Sequence, residues 1–317
     1  MSINILSKLD TRAQPEGKKR IRRTLYYIDS YNDEQVKESL TTDADLVMYD
    51  LEDAVPIDCK EKSRARILGI LDGERSTNPE IGVRINSVGS GYELEDLKVV
   101  LQSKKLEAML IPMVEHASHI QFVSQMIDLL APEELKNRIR LIAGIETSKG
   151  LMNLKEIAQS CPRLDALMFA VGDYTMNVEV KPSENDIELY YARSLISNVA
   201  HAYGLEAIDM VSLDPSDPKH IEKQCFDAYR MGFSGKQVYL PNQIEMAHRA
   251  MCPPQETIDK AIKTIKDFHQ RTQKSLGSKM LDDKVHEIPY FKWAERVLRR
   301  ARIGGVDVDS LLAQIEK

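Results

Sequence analysis

Acidic residues recur in this chain where short apolar runs end. The run 46–49 leads into Asp50-Leu51-Glu52-Asp53, the run 141–145 ends in Glu146, and the run 166–170 passes through Val171-Gly172 into Asp173. Asp209 lies in the run 206–210, and Arg84 and Asn86 stand together in Val83-Arg84-Ile85-Asn86. Carboxylates crowded at neighbouring ends cost free energy unless something neutralises them. A hard divalent cation would do so, and oxygen-only ligands favour magnesium, manganese or calcium over zinc. Glu146 and Asp173 end consecutive runs and could hold one ion from adjacent positions. A salt-bridge network through Arg84, Lys149 and Lys236 would neutralise the same carboxylates, and spacing leaves both readings open.

No Ser/His/Asp or Cys/His arrangement stands out. His116, His119, His201, His220, His248 and His269 fall in helix-like segments or connections and read as surface groups, which leaves His286 in the C-terminal turn. Lys236 opens the last run, at the wrong end of a strand for Schiff-base chemistry, and reads as structural. Cys59, Cys161, Cys225 and Cys252 lie far apart with no CxxC pair, as reduced thiols of an intracellular protein do.

The elements that must position these groups follow from the apolar pattern. Eight runs, at 24–28, 46–49, 82–85, 108–111, 141–145, 166–170, 206–210 and 237–240, have strand length and are apolar nearly throughout. Parallel strands covered on both faces have that character. Helical spacing fills the gaps, as in Ile120, Val123, Ile127 and Leu130. The alternation predicts an α/β fold, a (β/α)8 TIM barrel with a C-terminal helical lid extension. An open doubly wound sheet would carry GxGxxG after its first strand, where Tyr27-Ile28-Asp29-Ser30 stands instead. The expected organisation is a leader over 1–20, the barrel over 21–245 and a helical extension and lid over 246–317, with helices at 255–273 and 290–303. Barrel active sites lie at the C-terminal ends of the strands, where the carboxylates fall.

Composition narrows the partners. The 317 residues carry a net charge of −6, which argues against a nucleic-acid footprint over the whole body. No run approaches the roughly 18 apolar residues of a membrane span. The N-terminal segment has no apolar core of secretory type, so a cytoplasmic protein is expected, with organelle import compatible. Lys18, Lys19, Arg20, Arg22 and Arg23 read either as a solvated leader or as charges that meet a phosphorylated ligand.

Several motifs stand in order: DLEDAV at 50–55, KSRAR at 62–66, VRIN at 83–86, GIET at 144–147 and GFSGK at 232–236. Over about residues 20–300 the chain resembles the citrate lyase beta-subunit-like family of the HpcH/HpaI aldolase superfamily, whose members include malyl-, β-methylmalyl- and citramalyl-CoA lyases. The resemblance implies a (β/α)8 barrel assembled as a homotrimer or homohexamer. It implies magnesium, with manganese as a substitute, held by Glu146 and Asp173, and Arg84 on the substrate's carboxylate or oxo group. Arg22 and Lys62 would lie near a coenzyme A or acyl-carrier thioester arm. Asp50 and Glu287 join Arg84 as the expected catalytic groups, Glu287 replacing the aspartate of a lid motif that serves a neighbouring subunit.

The chain departs from the family pattern at Met113, where a lysine is usual, at Asn177 and Glu179 after Asp173, and in the turn Tyr239-Leu240-Pro241-Asn242-Gln243. The implied activity is magnesium-dependent cleavage of a 3-hydroxyacyl-CoA thioester by a retro-Claisen reaction through a thioester enolate. The alternatives are a class II aldolase acting on free 2-oxo acids and a non-catalytic barrel that binds acyl-CoA.

Overall fold

Eight parallel strands close into a barrel in chain order: β1 (Thr24–Asp29), β2 (Leu46–Asp50), β3 (Glu80–Arg84), β4 (Ala108–Ile111), β5 (Arg140–Ile145), β6 (Leu164–Phe169), β7 (Glu206–Asp209) and β8 (Gly235–Val238). The structure is a computed structural model and describes residues 20–183, 185–212, 217–273, 280–281, 284–285 and 288–313. Pairing of Leu25 with Gln237 and of its neighbours in β1 and β8 closes the ring.

Alternation along each strand decides which side chains fill the interior. Leu25 and Tyr27, Leu46 and Met48, Ala108 and Leu110, Ala166 and Met168, with Ile142 and Ile208, form the barrel's inner cluster. The residues between them, such as Tyr26, Val47, Tyr49 and Val83, are also buried, on the opposite face of the sheet. Burial on both faces is why the strands read as continuous apolar runs.

The same alternation carried towards the C-terminal ends aims Asp50 (two beyond Met48), Arg84 (two beyond Gly82) and Glu146 (two beyond Gly144) into the barrel's mouth. Asp209 breaks the expectation. It follows the inward Ile208 and so faces outward, where Arg193 of the helix Tyr190–Tyr203 holds it with bonds of 3.0 and 2.6 Å.

β8 begins two residues earlier than its apolar pattern suggests, because Gly235 and Lys236 belong to it. A Cβ at Gly235 would stand 1.9 Å from the Arg22 carbonyl oxygen, so only glycine admits the incoming chain there. Lys236 is buried, and its Nζ donates to the Met210 carbonyl at 2.7 Å.

Ion pairs close the N-terminal end of the barrel. Arg22 donates to Glu80 at 2.7 and 2.8 Å and lies 3.4 Å from Asp165; Arg140 also bonds Asp165, at 2.8 Å through Nε. Arg23 grips Asp45 through two bonds of 2.8 Å.

Contacts divide the chain into two units, one ending at Ala247 and one containing the residues from His248 on. In the second, the helices Gln255–Gln273 and Ile288–Ile303 pack through Ile258, Ala261, Ile265, Ala294 and Leu298, with the rings of Phe268 and Phe291 4.2 Å apart. Among the described residues no helix is long and apolar enough to cross a membrane.

Candidate active site

Asp50, the last residue of β2, uses both carboxylate oxygens. They accept from Arg84 Nε at 2.7 Å and Nη2 at 2.5 Å, and from the backbone N–H groups of Glu52 and Ala54 at 2.9 and 3.0 Å. Burial opposes its charge, but Arg84 and the two N–H groups outweigh burial and hold Asp50 below the ordinary carboxylate range. Asp50 is therefore the anchor of Arg84. The reciprocal holds for the arginine: burial works against its charge, Asp50 overcomes it, and Arg84 stays cationic.

The remaining edge of the guanidinium faces acids. Its Nη1 lies 2.9 Å from Glu52 Oε2 and 3.6 Å from Asp53. The Glu52 contact is one of charge alone, since that oxygen receives no aligned hydrogen bond. Burial, with Asp53, Glu146 and Asp50 nearby, pushes Glu52 up to about 8.

The turn that carries Glu52 is clamped from outside. Lys60 Nζ donates to the carbonyls of Leu51 and Glu52 at 3.0 and 2.7 Å. The family resemblance points to Lys62 and not to Lys60. On the helix Lys60–Leu71, Lys60 shares a buried face with Ser63 and Ile67, while Lys62 falls on the exposed face. That periodicity was the available signal.

Aromatic rings wall the arginine. The guanidinium lies 5.0 Å from the centre of the Tyr27 ring, and Tyr27 stacks on Tyr239 at 5.2 Å. Gln237 accepts from the Tyr27 hydroxyl at 3.2 Å and ties the wall to the carbonyls of Phe169 and Asp209. These three were also missed. The inward phase of β1 and β8, carried just past β8 to Tyr239, could have shown them, but not that Tyr27 and Gln237 meet across 210 residues of chain.

Glu146 follows β5 and is buried, 2 % exposed. Burial pushes it up to about 7, and the charges of Asp173 and Asp53 add to the rise against the opposing pull of the Met113 N–H and of Arg84. Asp173 is exposed on the short helix Val171–Asn177, close enough for its charge to act on Glu146. A hard divalent cation fits this donor set. Its donors are carboxylate oxygens, the charge of Asp173 disfavours ionisation of Glu146, and Arg84 is already committed to Asp50. Among the described residues no three His, Cys, Asp or Glu stand together as ligands. Two protein carboxylates would leave positions for water and a chelating substrate.

Other expected residues lie elsewhere. Arg22 precedes β1 and pairs with Glu80 at the start of β3, so it closes the opposite end of the barrel and cannot meet a ligand at the mouth. Lys149 pairs with Glu115 at 2.9 Å and Lys236 with a carbonyl, so neither neutralises Glu146 or Asp173. Asn177 accepts from the Ser148 N–H at 2.9 Å, and Met113 and Glu179 both have positive φ. His119 is half-buried, in contact with the Met113 backbone, where a surface group was expected. His286 and Glu287 lie outside the described residues.

The model of the HpcH/HpaI aldolase/citrate lyase family matches residues 23–241, which span the whole barrel. The chain belongs to this family. Human mitochondrial citramalyl-CoA lyase is 30% identical over 290 residues, covering 88% of this chain and 85% of the relative. Citrate lyase subunit beta of Leuconostoc mesenteroides subsp. cremoris is 28% identical over 301 residues, covering 94% and 99%. The fold matches the crystal structure of CitE from Mycobacterium tuberculosis in complex with magnesium, acetoacetate and coenzyme A, with a TM-score of 0.71, 24% identity and coverage of 88% and 97%. The chain is thus a carbon–carbon lyase of the citrate lyase beta and acyl-CoA lyase group, and the acidic mouth with its anchored arginine is this lyase's candidate active site.

Proposed function

We propose that the lyase cleaves, and in reverse forms, a 3-hydroxyacyl-CoA thioester such as malyl-, β-methylmalyl- or citramalyl-CoA by a retro-Claisen reaction. The observation that carries this reading is the meeting of Glu146, Arg84 and the charge of Asp173 at one barrel mouth, with Arg84 fixed by Asp50. The activity named for the human relative and the magnesium and coenzyme A bound by the mycobacterial one support it.

Glu146 and Asp173 are the residues that would hold magnesium. When bound, the ion supplies Lewis-acid polarisation of the substrate's hydroxyl, which becomes the oxo group of the product. Arg84 steadies negative charge on the departing oxo acid, and the fixed geometry imposed by Asp50 means little reorganisation accompanies that help. Tyr27 and Tyr239 shield one side of the guanidinium from water.

The hydroxyl proton passes to solvent water, the carbon–carbon bond breaks, and the bond's electron pair passes to the thioester as an enolate. The enolate carbon then takes up a proton, the step assigned here to Glu287, and the assembly is a homotrimer or homohexamer. Lys62, exposed at the start of its helix, would serve the phosphates of the thioester arm.

A panel of malyl-, β-methylmalyl-, citramalyl- and citryl-thioesters with magnesium tests the reading. Cleavage of at least one CoA thioester, and none of free malate or citramalate, is expected. Equal cleavage of the free acids would favour the aldolase alternative, and no cleavage at all would favour a binding barrel.

A further inference from the structure

Met113 has φ 51°, a left-handed conformation that a non-glycine side chain adopts at a cost. It lies just beyond β4, at the barrel's mouth. Its N–H donates to Glu146 Oε1 at 3.1 Å, and among the described residues no protein group donates to the other oxygen, Oε2. The next residue, Val114, donates to the Gly144 carbonyl at 2.9 Å, which ties the turn to β5 two residues before Glu146.

Gly144 completes the arrangement. A Cβ there would stand 2.7 Å from Glu146 Oε1 and 3.1 Å from the Ile111 carbonyl oxygen, so any side chain would push the carboxylate out of its place. Two independent features, a strained peptide and a missing side chain, thus settle the same oxygen in the same position.

We propose that Met113 is a positioning residue whose backbone, through its left-handed turn, holds Glu146 Oε1 so that Oε2 alone is offered to a divalent cation. The inference rests on the reading of Glu146 as a metal ligand and goes beyond it by assigning the role to a peptide N–H. The side chain of Met113 is incidental to the role. A left-handed backbone and an N–H that donates to Glu146 are the two requirements, and replacements at this one position separate them.

Magnesium binding to the full-length chain, measured by titration calorimetry alongside circular dichroism and thermal unfolding, tests it. Met113→Gly and Met113→Ala keep the N–H and should bind Mg2+ within about threefold of the parent. Met113→Val keeps the N–H but resists the left-handed turn, and Met113→Pro has neither the N–H nor access to positive φ. Both should bind Mg2+ about 10–100-fold more weakly, as expected for loss of a hydrogen bond to a charged group. If Met113→Pro fails to fold, Met113→Val carries the test.

A merely structural role would lower the melting temperature and leave the affinity of the folded protein unchanged. Parent-like affinity in folded Met113→Val or Met113→Pro overturns the proposal and leaves the metal reading of Glu146 standing. Loss of affinity in Met113→Gly or Met113→Ala also overturns it, by moving the role to the side chain. A parent chain that binds no Mg2+ overturns the metal reading and this inference together.

Discussion

At the N-terminal end of the barrel, Arg22 is enclosed by Glu80 and Asp165, and Glu80 is held below the ordinary carboxylate range because Arg22 and Arg20 outweigh its burial. At the C-terminal end, Glu146 and Glu52 are pushed above that range, to about 7 and about 8, because burial and neighbouring carboxylates outweigh Arg84. Both ends bury charge. The first balances it within the protein and is a structural closure; the second holds more carboxyl groups than cations, so that two of them keep protons a bound cation would displace. The surplus at the mouth, rather than the number of charges, distinguishes the functional end.

The largest expected effect breaks the mouth. Asp173→Ala should lower turnover by about 10³-fold or more, since it removes a charged ligand from a site that works by charge stabilisation. Thermal unfolding should be nearly unchanged, because Asp173 is exposed. An active Asp173→Ala variant would erase the contrast between the two ends.

Glu287→Gln comes next, with turnover down roughly 10²-fold or more and little change in melting temperature, because an amide cannot deliver a proton. Near-normal turnover would remove Glu287 from the chemistry.

Arg22→Ala should do the reverse of both. Glu80 would be left buried with Arg20 alone, at a cost of about 3 kcal/mol in stability. The folded fraction should turn over at the parental rate when assayed well below its melting temperature. A selective loss of rate with stability intact would return Arg22 to a ligand role.

The smallest effect is on pH and follows from the opposite shifts of Glu52 and Glu146 on one side and of Asp50 and Glu80 on the other. Glu52 and Glu146 have raised values, so the folded chain keeps protons that the unfolded chain releases above the ordinary 4.5. Stability therefore falls as pH rises from about 5 to 8 in metal-free protein. Asp50 and Glu80 have lowered values, and their contribution is lost as pH falls through the ordinary 3.8 and 4.5 and below. Thermal unfolding in chelator should thus be most resistant near pH 4–5, and magnesium should reduce the loss above it. A melting temperature that climbs steadily to pH 8 without metal would contradict these shifts.

The barrel was legible in the sequence because parallel strands buried on both faces leave apolar runs that can be counted. β8 was the least legible, since Lys236 and Gln237 are polar and buried and their partners are distant carbonyls. Asp50, Arg84 and Glu146 could be read from their strand-end positions. Asp209 could not, because a one-residue step along a strand exchanges inside for outside, and only the inward Ile208 settles the phase. Arg22 shows a different limit. A residue before a parallel strand belongs to the N-terminal end of the barrel, and that topological argument outweighs the family role implied for it. Lys60 and the Tyr27–Tyr239 wall depend on how helix and strands pack, which local pattern alone does not convey.

In the function proposed here, the surplus of carboxyl groups at the mouth holds a divalent cation between Glu146 and Asp173. Crystals grown with Mn2+ and measured for its anomalous scattering test this most directly. One strong peak is expected within bonding distance of both carboxylates, with none near Glu80 or Asp165. A mouth without a peak in Mn2+-saturated crystals, or a peak at the opposite end of the barrel, would contradict it.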